Sequence, residues 1–335
     1  MCARFQIPHG HDELAMRALA FILLAMPAYA LAQNAQDASA WLKKIYHASQ
    51  TLSYSGTFVY RQGDRSESSR ITRLVDASGD TEKLEALDGV RREVVRNGEE
   101  VRCYLPDSKL LKVDRRSTHP TFPALLPARN SALSDQYAVS KEETARIAGF
   151  DCQAIALKPK DEFRYGYKLW ADIGSGMLLK ARIVNEKGEA VEEFTFTQLS
   201  VGGNIGRDKV RSAFARESRQ WRVENAGVVP ANLAKTGWKV DAGIPGFQKV
   251  IEVKRQLRQS QPVSQIVYSD GLAAVSVFIE PVDLRREPVH PGMSSMGAVN
   301  IFTRELANHV VTVVGEAPPR TVRQIADMVE YHRPQ

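Results

Sequence analysis

The side chains that usually carry chemistry are present in this 335-residue sequence but are poorly spaced for it. Beyond the N-terminal apolar run the histidines are His47, His119, His290, His309 and His332. None stands in an H-x-x-x-H pair, and none joins a cysteine or carboxylate cluster of the kind that holds a metal. There is no phosphate-cradling P-loop and no G-x-S-x-G. Gly292-Met293-Ser294-Ser295-Met296-Gly297 sets serines between glycines but lacks the strand-to-helix elbow of a hydrolase. It reads instead as a flexible loop whose methionines suit varied apolar partners. Asp161-Glu162 and Glu142-Glu143 are adjacent carboxylates on a solvated surface, not an opposed acid and base. No catalytic residue, metal ligand or cofactor motif is read. Triads assemble in space, so their absence from the sequence lowers the odds of an enzyme without settling them. The expectation is a binding protein.

Export decides the redox setting. Ala18 to Leu31 reads ALAFILLAMPAYAL, uncharged and shorter than the ~20 residues that span a bilayer. It fits the h-region of a secretory signal peptide, with Arg17 before it and small-x-small sites after it. Cleavage is expected after Ala32, with translation starting at Met1 or Met16. Cys2 precedes the h-region and no cysteine stands at the cleavage site, so a soluble, unacylated exported protein is expected. That leaves Cys103 and Cys152. In an oxidising compartment such a pair reads as a disulfide, with two separate buried thiols as the alternative. The net charge of +6 favours acidic partners such as lipid phosphates or acidic peptide segments. Nucleic acid is not expected.

The elements that would position these residues are mostly strands. Asp37 to Gln50 is an amphipathic helix with Trp41, Ile45 and Ala48 on one face. Tyr54 to Tyr60 alternates with period two, and turn signals recur at hairpin spacing up to Leu199. The fold class expected is α+β and β-rich, with a large curved sheet or open barrel first. His119 to Ala132 is proline-rich and apolar and fits no regular element. A basic linker is placed at 206–229, whose Arg207 to Arg222 stretch reads as a solvated connecting helix or a partner-binding segment. A smaller domain at 230–332 has five strands, at Gly246 to Leu257, Gln265 to Ser269, Leu272 to Glu280, Ala298 to Leu306 and His309 to Val314. A helix from Thr321 to Tyr331 packs Val322, Ile325 and Val329 on them. Asp270-Gly271 is the strongest hairpin signal, and Pro281 to Gly297 reads as a long loop.

Several segments together resemble one family. Asp161 to Asp172, DEFRYGYKLWAD, followed by Ser175 to Lys180, SGMLLK, is similar to a signature of the MucB/RseB family. Tyr54 to Tyr60 resembles that family's first strand, and Val267 to Glu280 resembles its C-terminal hairpin. Thr312 to Pro318 and Thr321 to Ala326 are similar to its last strand and helix. The resemblance runs in order through both domains. It implies a periplasmic negative regulator of a sigma-E-type (AlgU-type) envelope stress response. Such a regulator binds the periplasmic segment of a membrane-spanning anti-sigma factor of RseA or MucA type and hinders its site-1 proteolysis. It also implies a LolA/LolB-like lipoprotein-carrier fold for residues 37–205, and release by lipid or lipopolysaccharide fragments.

Placed on that fold, Tyr54, Phe58, Tyr60, Phe194 and Phe196 are expected to line a lipid cavity, which needs a large apolar wall with few polar groups. For any one of them an ordinary filled core is the competing reading. Arg91, Arg92, Arg96, Arg115 and Arg116 are expected to meet lipid phosphates, against the alternative of a solvated strand face. The anti-sigma contact is expected on the second domain, at its sheet and the Asp283 to Gly297 stretch. A lipid or lipoprotein carrier is the rival function. Formation of a homo-oligomer is left open.

Overall fold

The computed structural model describes residues 34, 36–115, 125–126, 133–225, 227–255, 262–283 and 290–333, with only the backbone of Arg115. The expected leader, Arg116 and most of the 119–132 segment lie outside the described residues.

Helix α1, residues 36–51, opens the described chain. Ala38, Leu42 and Ile45 recur at helical spacing and are all but fully buried. They share a core with residues of the sheet, which begins with β1 (Tyr54–Gln62), β2 (Arg65–Asp76), β3 (Gly79–Ala86), β4 (Glu93–Asn97), β5 (Glu100–Leu105) and β6 (Leu110–Arg115). A short helix α2 (Leu133–Gln136) precedes β7 (Tyr137–Ile147), and β8 (Phe150–Pro159), β9 (Gly166–Asp172), β10 (Leu178–Val184) and β11 (Ala190–Val201) follow. With β12 (Arg222–Asn225) these form one twelve-stranded sheet, ordered β12-β6-β5-β4-β3-β2-β1-β11-β10-β9-β8-β7. Every pairing is antiparallel except β12 on β6, which is parallel. The large β-rich sheet is as expected. Among the described residues no pairing joins β7 to β12, so the sheet is not a closed barrel.

β1 sits mid-sheet between β2 and β11 and carries the aromatic ladder. Gly56 belongs to it for a steric reason. A Cβ there would lie 2.5 Å from the Gln198 carbonyl oxygen and 2.8 Å from the Phe196 ring. The smallest residue leaves room for that ring close against the strand.

The basic segment is no helix. It runs through turns and a single short 3-10 turn at Glu217–Gln220, and then Arg222–Asn225 joins the first sheet as an edge strand. Phe214 and Trp221 pack as a tilted ring pair 5.8 Å apart, and Trp221 meets Tyr104 edge-on at 6.4 Å. These apolar anchors between the cations hold the segment against the sheet, where a charge count alone suggests a solvated helix.

The second region holds β13 (Val228–Pro230), β14 (Trp238–Val240), β15 (Gln248–Arg255), β16 (Val263–Ser269), β17 (Ala274–Pro281), β18 (Gly292–Met296), β19 (Val299–Leu306) and β20 (His309–Gly315). Helix α3 (Pro319–Asp327) and β21 (Val329–Tyr331) end it. Seven strands form a sheet ordered β13-β15-β16-β17-β20-β19-β18, and β14 pairs with β21 apart from it. All five expected strands are found. The GMSSM stretch, expected to be loop, is the edge strand β18. Its hydrogen bonds to β19 override a composition poor in strand formers. Val329 is buried as expected, but as part of β21 and not of α3.

Candidate ligand cavity and domain seam

The cross-strand register of β1 and β11 sets Phe58 opposite Phe196 and Tyr60 opposite Phe194. The rings form a ladder: Tyr54 meets Phe196 edge-on at 6.4 Å, Phe58 meets Phe196 at 5.8 Å, and Tyr60 stacks on Phe194 at 4.6 Å. Such pairs favour offset or edge-on contact because of the ring quadrupole. The ladder divides by depth. Tyr54 and Phe196 are 1 % exposed and belong to the filled core under α1. Phe58 and Phe194 instead line a cavity of about 240 Å³, together with Ile71, Leu84, Leu125, Tyr167, Ala181 and Ile183. Of the five aromatics expected there, two reach it directly, and Tyr60 backs Phe194.

The cavity has a polar edge. Glu82 and Arg96 line it and pair at 3.2 Å. Glu316, from the second domain, lines it too. Tyr167 Oη is buried and finds no hydrogen-bond partner among the described residues. A buried hydroxyl without a partner is a destabilising arrangement.

The other expected arginines are elsewhere. Arg91 lies 3.9 Å from Asp107 and 5.5 Å from the centre of the Phe214 ring, and Arg92 lies 3.8 Å from Glu67. Neither lines the cavity. The Arg115 side chain and Arg116 lie outside the described residues. The disulfide expectation is corrected: Cys103 and Cys152 are both free thiols. Cys103 is on β5 and Cys152 on β8, with β4, β3, β2, β1, β11, β10 and β9 between them. A disulfide needs Cα atoms within about 7 Å. Burial pushes the Cys152 thiol up to about 11, so it is protonated and unreactive at neutral pH.

A second, more open cleft of about 620 Å³ lies in the C-terminal region, over Leu233, Trp238, Val240 and Ile266. It is larger, but two of its cations are already paired: Lys249 with Glu252, and Lys239 with Glu330 at 3.2 Å. The smaller cavity, more enclosed and with a mostly apolar lining, is the better ligand site.

The two sheets meet in a polar seam that sequence reasoning missed. Arg164 Nε donates to Asp270 Oδ2 at 2.8 Å, and both side chains are wholly buried. Tyr137 Oη donates to the same oxygen at 3.2 Å. Arg164 also reaches Asp161 and the Pro245 carbonyl, and its guanidinium lies 5.1 Å from the centre of the Phe247 ring. Asn300 Nδ2 donates to Tyr165 Oη at 3.0 Å and to the Ala317 carbonyl at 2.8 Å. Glu192 accepts from the Ala298 amide at 3.0 Å and from Gln62 Nε2 at 3.0 Å, and Gln62 Nε2 also donates to the Met296 carbonyl. Burial holds the Glu192 carboxyl above the usual range, although these donors pull it back. Gly297 has φ +60 and packs on Gln62, where a Cβ would come within 2.3 Å. Thr321 Oγ1 and the Phe163 carbonyl close the seam at 2.8 Å.

Among the described residues no group of three or more His, Cys, Asp or Glu side chains can hold a metal. No helix there is long and apolar enough to cross a membrane. What the geometry defines is a two-domain binding scaffold: one large sheet with an apolar cavity, joined by buried polar contacts to a smaller sheet. The chain belongs to the MucB/RseB family. The model of the MucB/RseB N-terminal domain matches residues 37–214, and that of the C-terminal domain matches residues 232–330. The chain is 32% identical to the sigma factor AlgU regulatory protein MucB of Pseudomonas aeruginosa over 318 residues, covering 91% of this chain and 93% of that protein. It is 28% identical to the sigma-E factor regulatory protein RseB of Escherichia coli K12, covering 87% of this chain and 90% of RseB. A solved complex of P. aeruginosa MucA and MucB superposes with a TM-score of 0.69 at 29% identity, over 89% of this chain and 100% of the other. A crystal structure of MucB with MucA(peri) superposes at 0.68, also at 29% identity and with the same coverage. The family is one of sigma-factor regulatory proteins and not of enzymes.

Proposed function

We propose that this chain is a periplasmic negative regulator of a sigma-E-type factor. It binds the periplasmic segment of an anti-sigma factor of RseA or MucA type and protects it from site-1 proteolysis. The observation that carries this reading is the match to MucB along nearly the whole of both chains, where solved MucB structures include complexes with MucA. In this reading residues 1–32 are a leader removed on export, and residues 37–205 form the carrier-like domain. The anti-sigma contact lies on the 230–332 domain, at its sheet and at β18. Met293 and Met296 support that placement, being 39 % and 54 % exposed on an edge strand. Lipid or lipopolysaccharide fragments would occupy the first-domain cavity and release the regulator.

The cavity also suits the rival function, a lipid or lipoprotein carrier. A simple shuttle, however, gives no reason for a second domain joined to the first by a buried ion pair. The test is protease protection. Residues 33–335, added to the periplasmic segment of the host's anti-sigma factor, should slow its cleavage by the site-1 protease. Cleavage at an unchanged rate with the protein in excess would reject the regulator reading.

A further inference from the structure

The cavity of the first domain is not walled by that domain alone. Leu272 sits in the turn between β16 and β17 of the second domain, yet it is 5 % exposed and packs in the first domain's core cluster. It lines the cavity together with Phe58 and Phe194, and Glu316 joins it from beyond the end of β20. The turn around Leu272 is tightly held. Asp270 Oδ1 accepts from the Leu272 amide at 2.9 Å and from the Ala273 amide at 2.8 Å. Its other oxygen, Oδ2, takes the bonds from Arg164 and Tyr137. One carboxylate therefore fixes both the turn that carries Leu272 and the domain seam.

We propose that Leu272 is a plug from the second domain that sets the acyl-chain length the first-domain cavity accepts. This deepens the lipid reading above and rests on it. At about 240 Å³ the cavity is below the roughly 300–1,000 Å³ of sites for drug-sized ligands, so it admits a short apolar chain as it stands. The ligand class is an acyl chain, whose polar end would lie at the cavity edge that Glu82 and Arg96 line. A longer chain fits only if Leu272 withdraws. Withdrawal moves the Asp270–Ala273 turn and strains the Arg164–Asp270 pair, so long-chain occupancy is transmitted to the domain seam.

The test uses the mature full chain and three probes: octanoate, laurate and palmitate. Binding is read by displacement of N-phenyl-1-naphthylamine. In Leu272→Ala, palmitate affinity should rise about tenfold over wild type, the equivalent of roughly two more buried methylenes, with octanoate little changed. In Leu272→Trp, which fills the space, laurate and palmitate affinity should both fall. Amide hydrogen exchange at Leu272 and Ala273 should speed up in wild type with palmitate but not with octanoate. Thermal unfolding checks that each variant folds, and the wild-type exchange readout does not depend on any variant. Equal palmitate affinity in all three proteins, with unchanged exchange, would overturn the plug while leaving the lipid reading standing. Failure of every protein to bind any of the probes would overturn both.

Discussion

The Asp270 carboxylate and the Arg164 guanidinium meet at 2.8 Å with both side chains completely out of solvent, one from the turn between β16 and β17 and the other from the bend between β8 and β9. Removing one partner of such a pair leaves a buried charge without its main counterion. Asp270→Asn should destabilise the folded chain by about 3 kcal/mol. Urea unfolding of wild type, Asp270→Asn, Arg164→Met and the double variant measures this. The double variant is expected to recover part of the loss. Simple additivity of the two single losses would show that the pair is not coupled.

Glu192 predicts a pH dependence with a definite sign. Burial raises its folded-state pKa above the ordinary carboxylate value. Its contribution to stability is therefore complete below that ordinary value and is lost as pH rises through the raised one. Glu193 and Glu252 are lowered in the fold and contribute the opposite trend. Comparison with Glu192→Gln isolates the residue. As pH rises above the ordinary carboxylate value, wild type should lose stability relative to Glu192→Gln. Parallel curves for the two proteins would contradict the assignment.

Gly56 is a packing requirement. Its neighbours are a backbone carbonyl and the Phe196 ring, and neither is the free end of a flexible side chain. Gly56→Ala should destabilise by about 1–3 kcal/mol through overpacking. A shifted aromatic circular dichroism signal should accompany the loss. An unchanged melting temperature would show that the ladder has slack.

Asn300 predicts a cost that packing alone would not give. Its amide serves Tyr165 Oη and the Ala317 carbonyl, which would be left buried and unsatisfied in Asn300→Leu. A loss of about 1–3 kcal/mol is expected, despite the similar side-chain volume. A neutral substitution would mean that other partners take over those groups.

Much of the fold was legible because it is local. Helix α1, the period-two strand from Tyr54 to Tyr60, and the five strands of the second domain announce themselves by spacing within a few residues. The aromatic ladder was legible too, since alternation puts Tyr54, Phe58 and Tyr60 on one face. Alternation does not give depth, so it did not separate Tyr54 and Phe196, in the core, from Phe58 and Phe194, at the cavity. The seam was hidden for a different reason. Arg164 and Asp270 are 106 positions apart, and Asp270 looks locally like any turn aspartate. The Cys103–Cys152 pairing rested on compartment and count, and strand order overrules both. β18 was missed because serine and glycine mask an edge strand that its partner β19 defines.

On the proposed reading, anti-sigma binding and lipid binding oppose each other through this seam. The most direct measurement is the affinity of residues 33–335 for the periplasmic segment of the host's anti-sigma factor, with and without saturating lipopolysaccharide fragments. Tight binding that weakens with lipid is expected, with an equal reciprocal weakening of lipid affinity when the segment is present. Peptide affinity that stays constant under saturating lipid would contradict it.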